Sequence, residues 1–440
     1  MNYQFGVGSA GGPEPWSRAR ELRARQSEQT GGRRYAGLAL TFFLVALTAE
    51  VGLRAATGSY EIGTWRGFRP AAISYTFDDG CSNQFSVAIP MFNEKGFKLT
   101  LFTAISTLFP GWPKLQSAAL QGHEIGSHTM THVNLSSLSD AQQTSELKNS
   151  REAIDANIPG QTCITLAYPF CVEGKEGLTS QQYVAARTCS GQLVPSSPAN
   201  LMNISSFVCG PQGSVQTTPD FNSRANGAAA ARAWCVYLIH GIDNDGGYSP
   251  LSTATLQGSL NYLSANPEKF WVETFGNVIR YILERNAASV SETSNQDDEI
   301  RLQVSDNLDD KIFNYPITLR RLLPTNWPGA AVSQNQQRRE ARVVEVNSTR
   351  YIMFDVVPDG GEVVLVKEVR PIILSHPTAA TSGDFDFRLE GQSGARYVVF
   401  SSSDLVNWTP ARTNTLVSSY TNFTFPLAAT PRFYRAQWAP

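Results

Sequence analysis

Residues 71–80, AAISYTFDDG, decide the fold of the first half of this chain. The apolar run 71–77 has the composition of a strand buried on both faces, and it ends abruptly in Asp78 and Asp79. Further runs of this kind follow at 98–104, 163–168 and 234–239. Stretches with helical periodicity lie between these runs, so the sequence predicts a parallel α/β sheet or barrel over residues 57–286.

Two helices of this region have clear sequence signals. Ser139 and Gln142 have the spacing of a capping box, which predicts a helix beginning at that point. Residues 275–285 carry apolar side chains at the i, i+3, i+4 and i+7 positions, the pattern of a helix with one face in the core.

The composition limits the classes of protein to which the chain can belong. Its 440 residues are 42% hydrophobic and 17% charged, which predicts a folded chain of two or three domains. Lys plus Arg number 36 and Asp plus Glu number 38, so a basic excess is absent and we expect no nucleic-acid partner. The sequence has no uninterrupted run of about 18 apolar residues, which excludes a polytopic membrane protein. It does not indicate an oligomeric state.

Residues 1–56 have the layout of an export signal. Arginines between positions 18 and 34 precede an apolar run at 35–49, which is short of the roughly 20 residues that a spanning helix needs. We therefore predict a protein exported to the periplasm, the cell surface or the medium. An uncleaved membrane anchor and a buried helix are the alternatives, and such an anchor is the one membrane contact that we expect.

The sequence changes character after the first domain. Residues 287–299 are rich in Ser, Asn, Gln and Asp, and we predict that they form a linker. Alternating, β-rich segments then predict all-β accessory domains at 300–370 and 371–440. The pattern leaves open whether these residues form one sandwich or two small domains. Surface attachment, glycan binding and passive stabilisation are the alternatives for their role.

Polar residues follow the predicted strands at the point where a parallel barrel builds its active site. Asp78 and Asp79 are adjacent carboxylates that repel each other, and a bound cation would relieve that repulsion. His128 and His132 are four residues apart, so on a helical turn they would lie on one face and bind the same ion. One Asp would complete the metal site, and the other would be free to act as a base. Imidazole ligands favour zinc, with cobalt, manganese or nickel as alternatives.

Three motifs give the sequence a specific resemblance. TFDDG at 76–80, SHTMTH at 127–132 and LIHG at 238–241 together resemble the polysaccharide deacetylase family, which is also called NodB homology or carbohydrate esterase family four. The resemblance covers about residues 60–285. It implies a distorted (β/α) barrel with fewer strands than the eightfold form. It also implies a metal-dependent hydrolase that removes N-acetyl or O-acetyl groups from an acetylated glycan.

The resemblance also implies roles for individual residues. Asp78 would be the general base and His240 the general acid. The metal ligands would be Asp79, His128 and His132. The oxyanion and substrate contacts would come from Tyr168, Pro169, Phe170 and Leu238, with the backbone N–H of Phe170 as the oxyanion donor and Leu238 against the acetyl methyl group.

The third motif departs from the common form of the family. Many members have an Arg that pairs with the catalytic base at the position that Ala167 occupies here, and Arg187 is the candidate replacement. An Asp-Trp pair that could orient the acid is missing between Pro169 and His240. These departures keep two alternatives open, a non-catalytic or weakly active glycan-binding protein on the same fold and a hydrolase of a small non-peptide amide.

All six cysteines lie between positions 81 and 235, and six cysteines permit 15 pairings that the sequence does not decide. Cys81 and Cys171 adjoin two of the motifs, so a disulfide between them, or to Cys235, is one expectation and incidental buried thiols are the other.

Overall fold

The structure is a computed structural model in which the described residues are 60–107, 109–368, 372–379, 383–391, 396–427 and 430–438. The predicted export signal or anchor at 1–56 lies outside these residues. Within them, no helix combines the length and the apolar character needed to cross a membrane.

The first half of the described chain is a parallel sheet wrapped by helices. After strand β1 (Tyr60–Ile62), which belongs to another sheet, its strands are β2 (Ala71–Asp78), β3 (Thr100–Thr103), β4 (Glu124–Ser127), β5 (Thr165–Ala167), β6 (Ala185–Arg187), β7 (Phe207–Val208), β8 (Trp234–Ile239) and β9 (Phe270–Val272). The order is β6-β5-β4-β3-β2-β8-β7, and β9 pairs with β2 outside it. A parallel bridge between Arg187 and Ile204 brings the two edges of the sheet together. The predicted distorted (β/α) barrel is confirmed.

Strand β2 is an interior strand of this sheet, between β3 and β8, and the pattern of the 71–80 stretch explains why. All eight of its residues are buried, as expected for a strand covered on both faces. Its pairing with β8 runs from Ala72 opposite Trp234 to Phe77 opposite Ile239. Both strands therefore end at the same edge of the sheet.

The helices are α1 (Ile89–Glu94), α2 (Trp112–Leu120), α3 (Asp140–Asn157), α4 (Glu176–Thr179), α5 (Thr218–Ala231), α6 (Thr253–Ser264) and α7 (Phe275–Ala287). Helix α3 begins after Ser139, and the Gln142 side chain accepts a hydrogen bond from the Ser139 N–H at 3.0 Å, so the predicted capping box is present. Helix α7 buries the predicted apolar face.

Two sheets follow the barrel and form a first β-sandwich. Their strands are β10 (Ser289–Asn295), β11 (Glu299–Ser305), β12 (Ile317–Leu322), β13 (Gly329–Gln334), β14 (Gln337–Arg339), β15 (Ala341–Val346), β16 (Thr349–Val356) and β17 (Val363–Glu368). The sheet orders are β1-β12-β16-β15 and β10-β11-β17-β13-β14.

The linker predicted at 287–299 is wrong, because β10 occupies most of that segment and pairs with β11. Strand β10 is at the edge of its sheet and alternates between exposed and half-buried residues. An edge strand with one face in water can be built largely from polar residues, which gave this segment the composition of a linker.

The barrel and the first sandwich share one hydrophobic core. Trp65 and Ile279 belong to the same buried cluster as Ile300 and Leu365. Trp65 is fully buried in it, so this side chain packs within the fold and does not stack on a ligand. The domain boundary predicted near residue 300 therefore does not separate two independent cores.

A second, smaller sandwich has its own core. Its strands are β18 (Ile373–Ala379), β19 (Asp384–Glu390), β20 (Arg396–Ser402), β21 (Thr409–Thr415), β22 (Tyr420–Pro426) and β23 (Phe433–Trp438), in the sheets β18-β19-β22 and β21-β20-β23. Phe387, Leu389, Val399 and Phe423 are among the buried residues of its core. The residues after the barrel thus form two sandwiches, which answers the question that the sequence left open.

Candidate metal and catalytic site

The predicted site residues meet at the carboxyl edge of the parallel sheet. Asp78 is the last residue of β2 and Asp79 follows it, while His128 follows β4 and His240 follows β8. Strand ends at this edge are where parallel barrels place their reactive groups. The structure brings these side chains together although Asp78 and His240 are 162 positions apart in the sequence.

Three of these side chains form a cluster with the geometry of a metal site. The Oδ1 atom of Asp79 lies 3.6 Å from Nε2 of His128 and 3.4 Å from Nε2 of His132. The ligand atoms of all three residues lie within 4.8 Å of one another. Bonds of about 2.0–2.2 Å to a tetrahedral zinc ion would place two ligand atoms about 3.3 Å apart, so the spacing fits such an ion.

The two histidines converge through a tight turn and not through a helix. The backbone φ angles of Thr129 and His132 are 65° and 56°, both in the left-handed region, so the expected helical turn is wrong. The Glu146 carboxylate secures the turn, because its Oε2 atom accepts hydrogen bonds from the N–H groups of Met130 and Thr131 at 3.0 and 2.9 Å. The two imidazoles, four residues apart in sequence, therefore meet across this turn.

The tautomer of His128 is fixed by a backbone contact. Its Nδ1 atom lies 2.8 Å from the Ala167 carbonyl oxygen, which can only accept, so Nδ1 carries the proton. The Nε2 atom is then the one with a free lone pair, and it is the atom that faces Asp79. Hydrogen bonds of this kind commonly orient metal-binding histidines.

The electrostatics of the cluster favour a cation. Burial lowers the pKa of His128 to about 4 and lowers that of His132, so both imidazoles are neutral near pH 7 and can bind a metal. Burial and the neighbouring charge of Asp78 raise the pKa of Asp79 to about 6. The Asp79 Oδ1 atom is buried and has no hydrogen-bond partner among the described residues. A divalent ion would supply that missing partner and relieve the repulsion between the carboxylates.

Asp78 is held by a buried ion pair with Arg187. The Arg187 Nη2 atom donates to Asp78 Oδ2, and Nη1 donates to the Ser206 hydroxyl at 3.2 Å. Burial alone would raise the pKa of Asp78, but the charge and hydrogen bond of Arg187, together with His128 and His240, hold that pKa below its ordinary value. Asp78 is therefore a carboxylate at neutral pH.

The position of Arg187 explains the departure in the third motif. Ala167 on β5 and Arg187 on β6 are direct partners in the parallel pairing of the two strands. The guanidinium thus reaches the base from the neighbouring strand at the same level of the sheet. Sequence reasoning could name Arg187 only as a candidate, because its alignment with Ala167 is visible only in the strand register.

His240 lies beside both carboxylates. Its Nε2 atom is 4.0 Å from Oδ2 of Asp78 and 4.0 Å from Oδ2 of Asp79. Its Nδ1 atom is buried without a hydrogen-bond partner among the described residues, in keeping with the missing Asp-Trp pair. The ring of Tyr248, 54% exposed, packs edge-on against the imidazole at 5.1 Å between ring centres.

The loop after β5, residues 168–171, borders the cluster of Asp79, His128 and His132. Tyr168 and Pro169 are buried, whereas Phe170 is 64% exposed and its ring lies 4.7 Å from that of His132. The Phe170 N–H makes no hydrogen bond to the described part of the chain, which leaves it free to donate to a ligand. Leu238 is buried in β8.

The disulfide of the structure joins Cys171 to Cys189. The expected pairing of Cys81 with Cys171 or Cys235 is wrong, and Cys81, Cys163, Cys209 and Cys235 are free thiols. Because β5 and β6 are neighbours, the loops that follow them lie side by side, and the two bonded Cα atoms are 5.7 Å apart. Because no local sequence pattern indicates that β5 and β6 are neighbours, this pairing could not be predicted from the sequence.

A family profile and several known proteins are similar to this chain. Residues 66–184 match the profile of the family described as polysaccharide deacetylase. A gellan lyase from a Bacillus species is 29% identical over 332 residues, which are 71% of this chain and 13% of that protein. YxkH of Bacillus subtilis strain 168, whose name assigns it to the polysaccharide deacetylases, is 32% identical over 111 residues, which are 24% of this chain and 39% of that protein. The chain thus spans well under half the length of both relatives.

Among solved structures, the peptidoglycan deacetylase PdaC from Bacillus subtilis is 17% identical, with a TM-score of 0.32 and coverage of 49% of this chain and 92% of that chain. The profile match confirms the resemblance to the polysaccharide deacetylase family that the motifs indicate. The matched segment contains the three metal-cluster residues, Asp78 and the 168–171 loop, while His240 lies beyond it.

Proposed function

We propose that this chain is an exported, metal-dependent hydrolase that removes acetyl groups from a carbohydrate polymer. One observation carries the proposal. Asp79, His128 and His132 present free ligand atoms within 4.8 Å of one another, and Asp78 and His240 border the same cluster. The family resemblance supports the same conclusion.

The three clustered residues would hold a divalent ion, and their mixed nitrogen and oxygen atoms favour zinc over cobalt, manganese or nickel. When bound, such an ion lowers the pKa of a coordinated water from about 15.7 towards about 7 and polarises a carbonyl group. Every other function in the reaction falls to the side chains and backbone of this chain.

Asp78 has the charge state of a general base, because Arg187 keeps it ionised, and it would accept the proton of the attacking water. His240 also borders the cluster, 4.0 Å from Asp79 Oδ2, and would protonate the departing nitrogen or oxygen of the sugar. The free N–H of Phe170 would donate to the acetyl oxygen as negative charge develops on it. Leu238, Tyr168 and Pro169 would shape the space for the acetyl group.

The surroundings of the site favour a sugar over a small amide. Phe170 and Tyr248 are exposed aromatic rings, one beside His132 and the other beside His240. Exposed rings that flank a reactive centre are suited to packing against the apolar faces of sugar rings. The missing Arg of the third motif was one reason to consider a non-catalytic protein. Arg187 supplies the ion pair with Asp78 that this Arg makes in the family, so that reason no longer applies.

Export is supported by two features. Residues 1–56 have the charge and hydropathy pattern of a signal or anchor. The Cys171–Cys189 disulfide is of a kind that persists outside the reducing cytoplasm.

The test is acetate release from chitin oligomers, peptidoglycan, acetylated exopolysaccharide and acetyl-xylan, which also distinguishes N-acetyl from O-acetyl substrates. We expect release from at least one of them, its loss after chelation, and its recovery with zinc. Asp78→Asn should abolish release, whereas Asp140→Asn, a surface carboxylate that pairs with Lys175, should leave it unchanged. Binding of a glycan without any release would refute the proposal.

A further inference from the structure

The Cys171–Cys189 disulfide connects two loops that serve the proposed site. Cys171 ends the 168–171 loop, which follows β5, and Cys189 lies two residues after Arg187 at the end of β6. Both cysteines are half-buried and line a surface cavity of about 600 Å³, so a small reductant can reach the bridge.

The 168–171 loop has an unfavourable backbone conformation. Phe170 and Cys171 have φ angles of 58° and 59°, two successive non-glycine residues in the left-handed region. Few local contacts oppose relaxation of this backbone. Two hydrogen bonds span the loop, from the Cys171 N–H to the Tyr168 carbonyl and from the Val172 N–H to the Pro169 carbonyl, both at 3.1 Å. The Tyr168 N–H donates to the Arg187 carbonyl at 3.1 Å, and the Tyr168 and Pro169 side chains are buried, so the first half of the loop is held against the barrel. At the other end, next to the largely exposed Phe170, the disulfide is the covalent tie to the segment after β6.

The same loop carries the N–H that would stabilise the oxyanion. Such a donor works only when it lies about 2.7–3.1 Å from the position that the oxyanion takes, so a small movement of the loop removes its benefit. The metal-cluster residues are on other segments, after β2 and β4, and Arg187 is fixed within β6. Opening the disulfide would therefore disturb the oxyanion donor and leave metal binding intact.

We infer that the Cys171–Cys189 disulfide is a positioning element for turnover, so that the activity depends on its oxidised state. This inference rests on the proposed function. A dithiol such as dithiothreitol supplies two electrons and two protons, which break the sulfur–sulfur bond into two thiols while the dithiol becomes a cyclic disulfide. The reduced protein keeps its metal and its base but holds the Phe170 N–H less precisely.

The experiment compares the full oxidised chain with the double variant Cys171→Ser/Cys189→Ser. We expect kcat for an acetylated oligosaccharide to fall about 10- to 100-fold, because a displaced donor should cost less than the about 10²- to 10³-fold loss that follows complete removal of one. KM and zinc affinity should stay within about twofold. Amide hydrogen exchange should become faster in the 168–172 segment and remain unchanged in β2.

The wild-type chain is also treated with dithiothreitol. Because dithiothreitol binds zinc as well as reducing disulfides, the double variant serves as the matched control for this treatment. The treatment should lower kcat of the wild-type chain to the level of the double variant and leave the double variant itself unaffected. Retained kcat with a lower unfolding temperature would show that the disulfide only stabilises the fold, and a parallel loss of zinc affinity would show that the whole site collapses. Either result overturns the inference.

The failure of the proposed function and the failure of this inference can be told apart. If the oxidised wild-type chain released acetate from no substrate, the proposed function would fail. Unchanged amide exchange in the 168–172 segment of the double variant would in that case still refute a role of the disulfide in ordering the loop.

Discussion

The buried pair of Arg187 and Asp78 makes a quantitative prediction about stability. The two side chains are 1% and 3% exposed, so neither charge is solvated by water. Arg187→Met keeps most of the side-chain volume but leaves the Asp78 carboxylate without its partner. Removal of one member of a buried ion pair costs about 3–5 kcal/mol, because the remaining charge stays desolvated. We expect the free energy of unfolding of the metal-free protein to fall by that amount.

The assay is urea-induced unfolding followed by far-ultraviolet circular dichroism. A surface pair is the control. Lys148 and Glu152 are each 52% exposed, so Lys148→Met should cost less than about 1 kcal/mol.

A double-mutant cycle isolates the pair itself. Asp78→Asn alone leaves the guanidinium of Arg187 unpaired, whereas the double variant Arg187→Met/Asp78→Asn removes both charges. The double variant should therefore be more stable than the sum of the two single effects implies, by about 2 kcal/mol or more. Two results would show that the pair does not contribute in this way. One is that the single changes in the free energy of unfolding are additive, and the other is that Arg187→Met lowers this free energy no more than Lys148→Met does.

Three further predictions concern the metal, the pH dependence of stability and the domain boundaries. His132→Ala should weaken zinc binding about 100-fold or more in a competition assay with a chromophoric chelator, while the exposed His376→Ala should not. Burial raises the pKa of Glu284 from 4.5 to about 8. Between these two pH values Glu284 is protonated in the folded state and ionised in the unfolded state, so the free energy of unfolding falls as the pH rises through this range. Glu284→Gln should remove this dependence, worth at most about 5 kcal/mol between pH 4 and pH 9 in urea titrations; an unchanged pH profile would contradict it. Deletion of 371–440 should leave a folded, soluble chain by circular dichroism, whereas deletion of 300–440 should not, because it opens the core shared with the barrel.

The sequence predicted the parts of the fold and site that depend on local pattern. The buried run ending in Asp78 identified strand β2, and the capping box located helix α3. The spacing of His128 and His132 identified a pair of imidazoles that meet, although the turn between them is not helical. The order of the motifs and their positions at the ends of strands were sufficient to predict that these residues lie close together.

Features that depend on neighbours in space were not predictable in this way. The alignment of Arg187 with Ala167 and the bond between Cys171 and Cys189 both follow from the adjacency of β5 and β6, which no local pattern encodes. Strand β10 was missed because its polar composition matches both a linker and a half-solvated edge strand. In each of these cases the structure of a segment depends on the strand that pairs with it, and the sequence of the segment alone does not identify that strand.

The pairing of β1 with β12 has a consequence for the order of folding. Tyr60 and Arg321 are 261 residues apart, yet the Arg321 Nε atom donates to the Tyr60 hydroxyl at 3.2 Å, and the two strands pair side by side. The first sandwich therefore cannot be completed until the whole barrel between these strands has been synthesised. Contacts of such long sequence separation form slowly, so the closing of this sheet is expected to be a late event in the maturation of the chain.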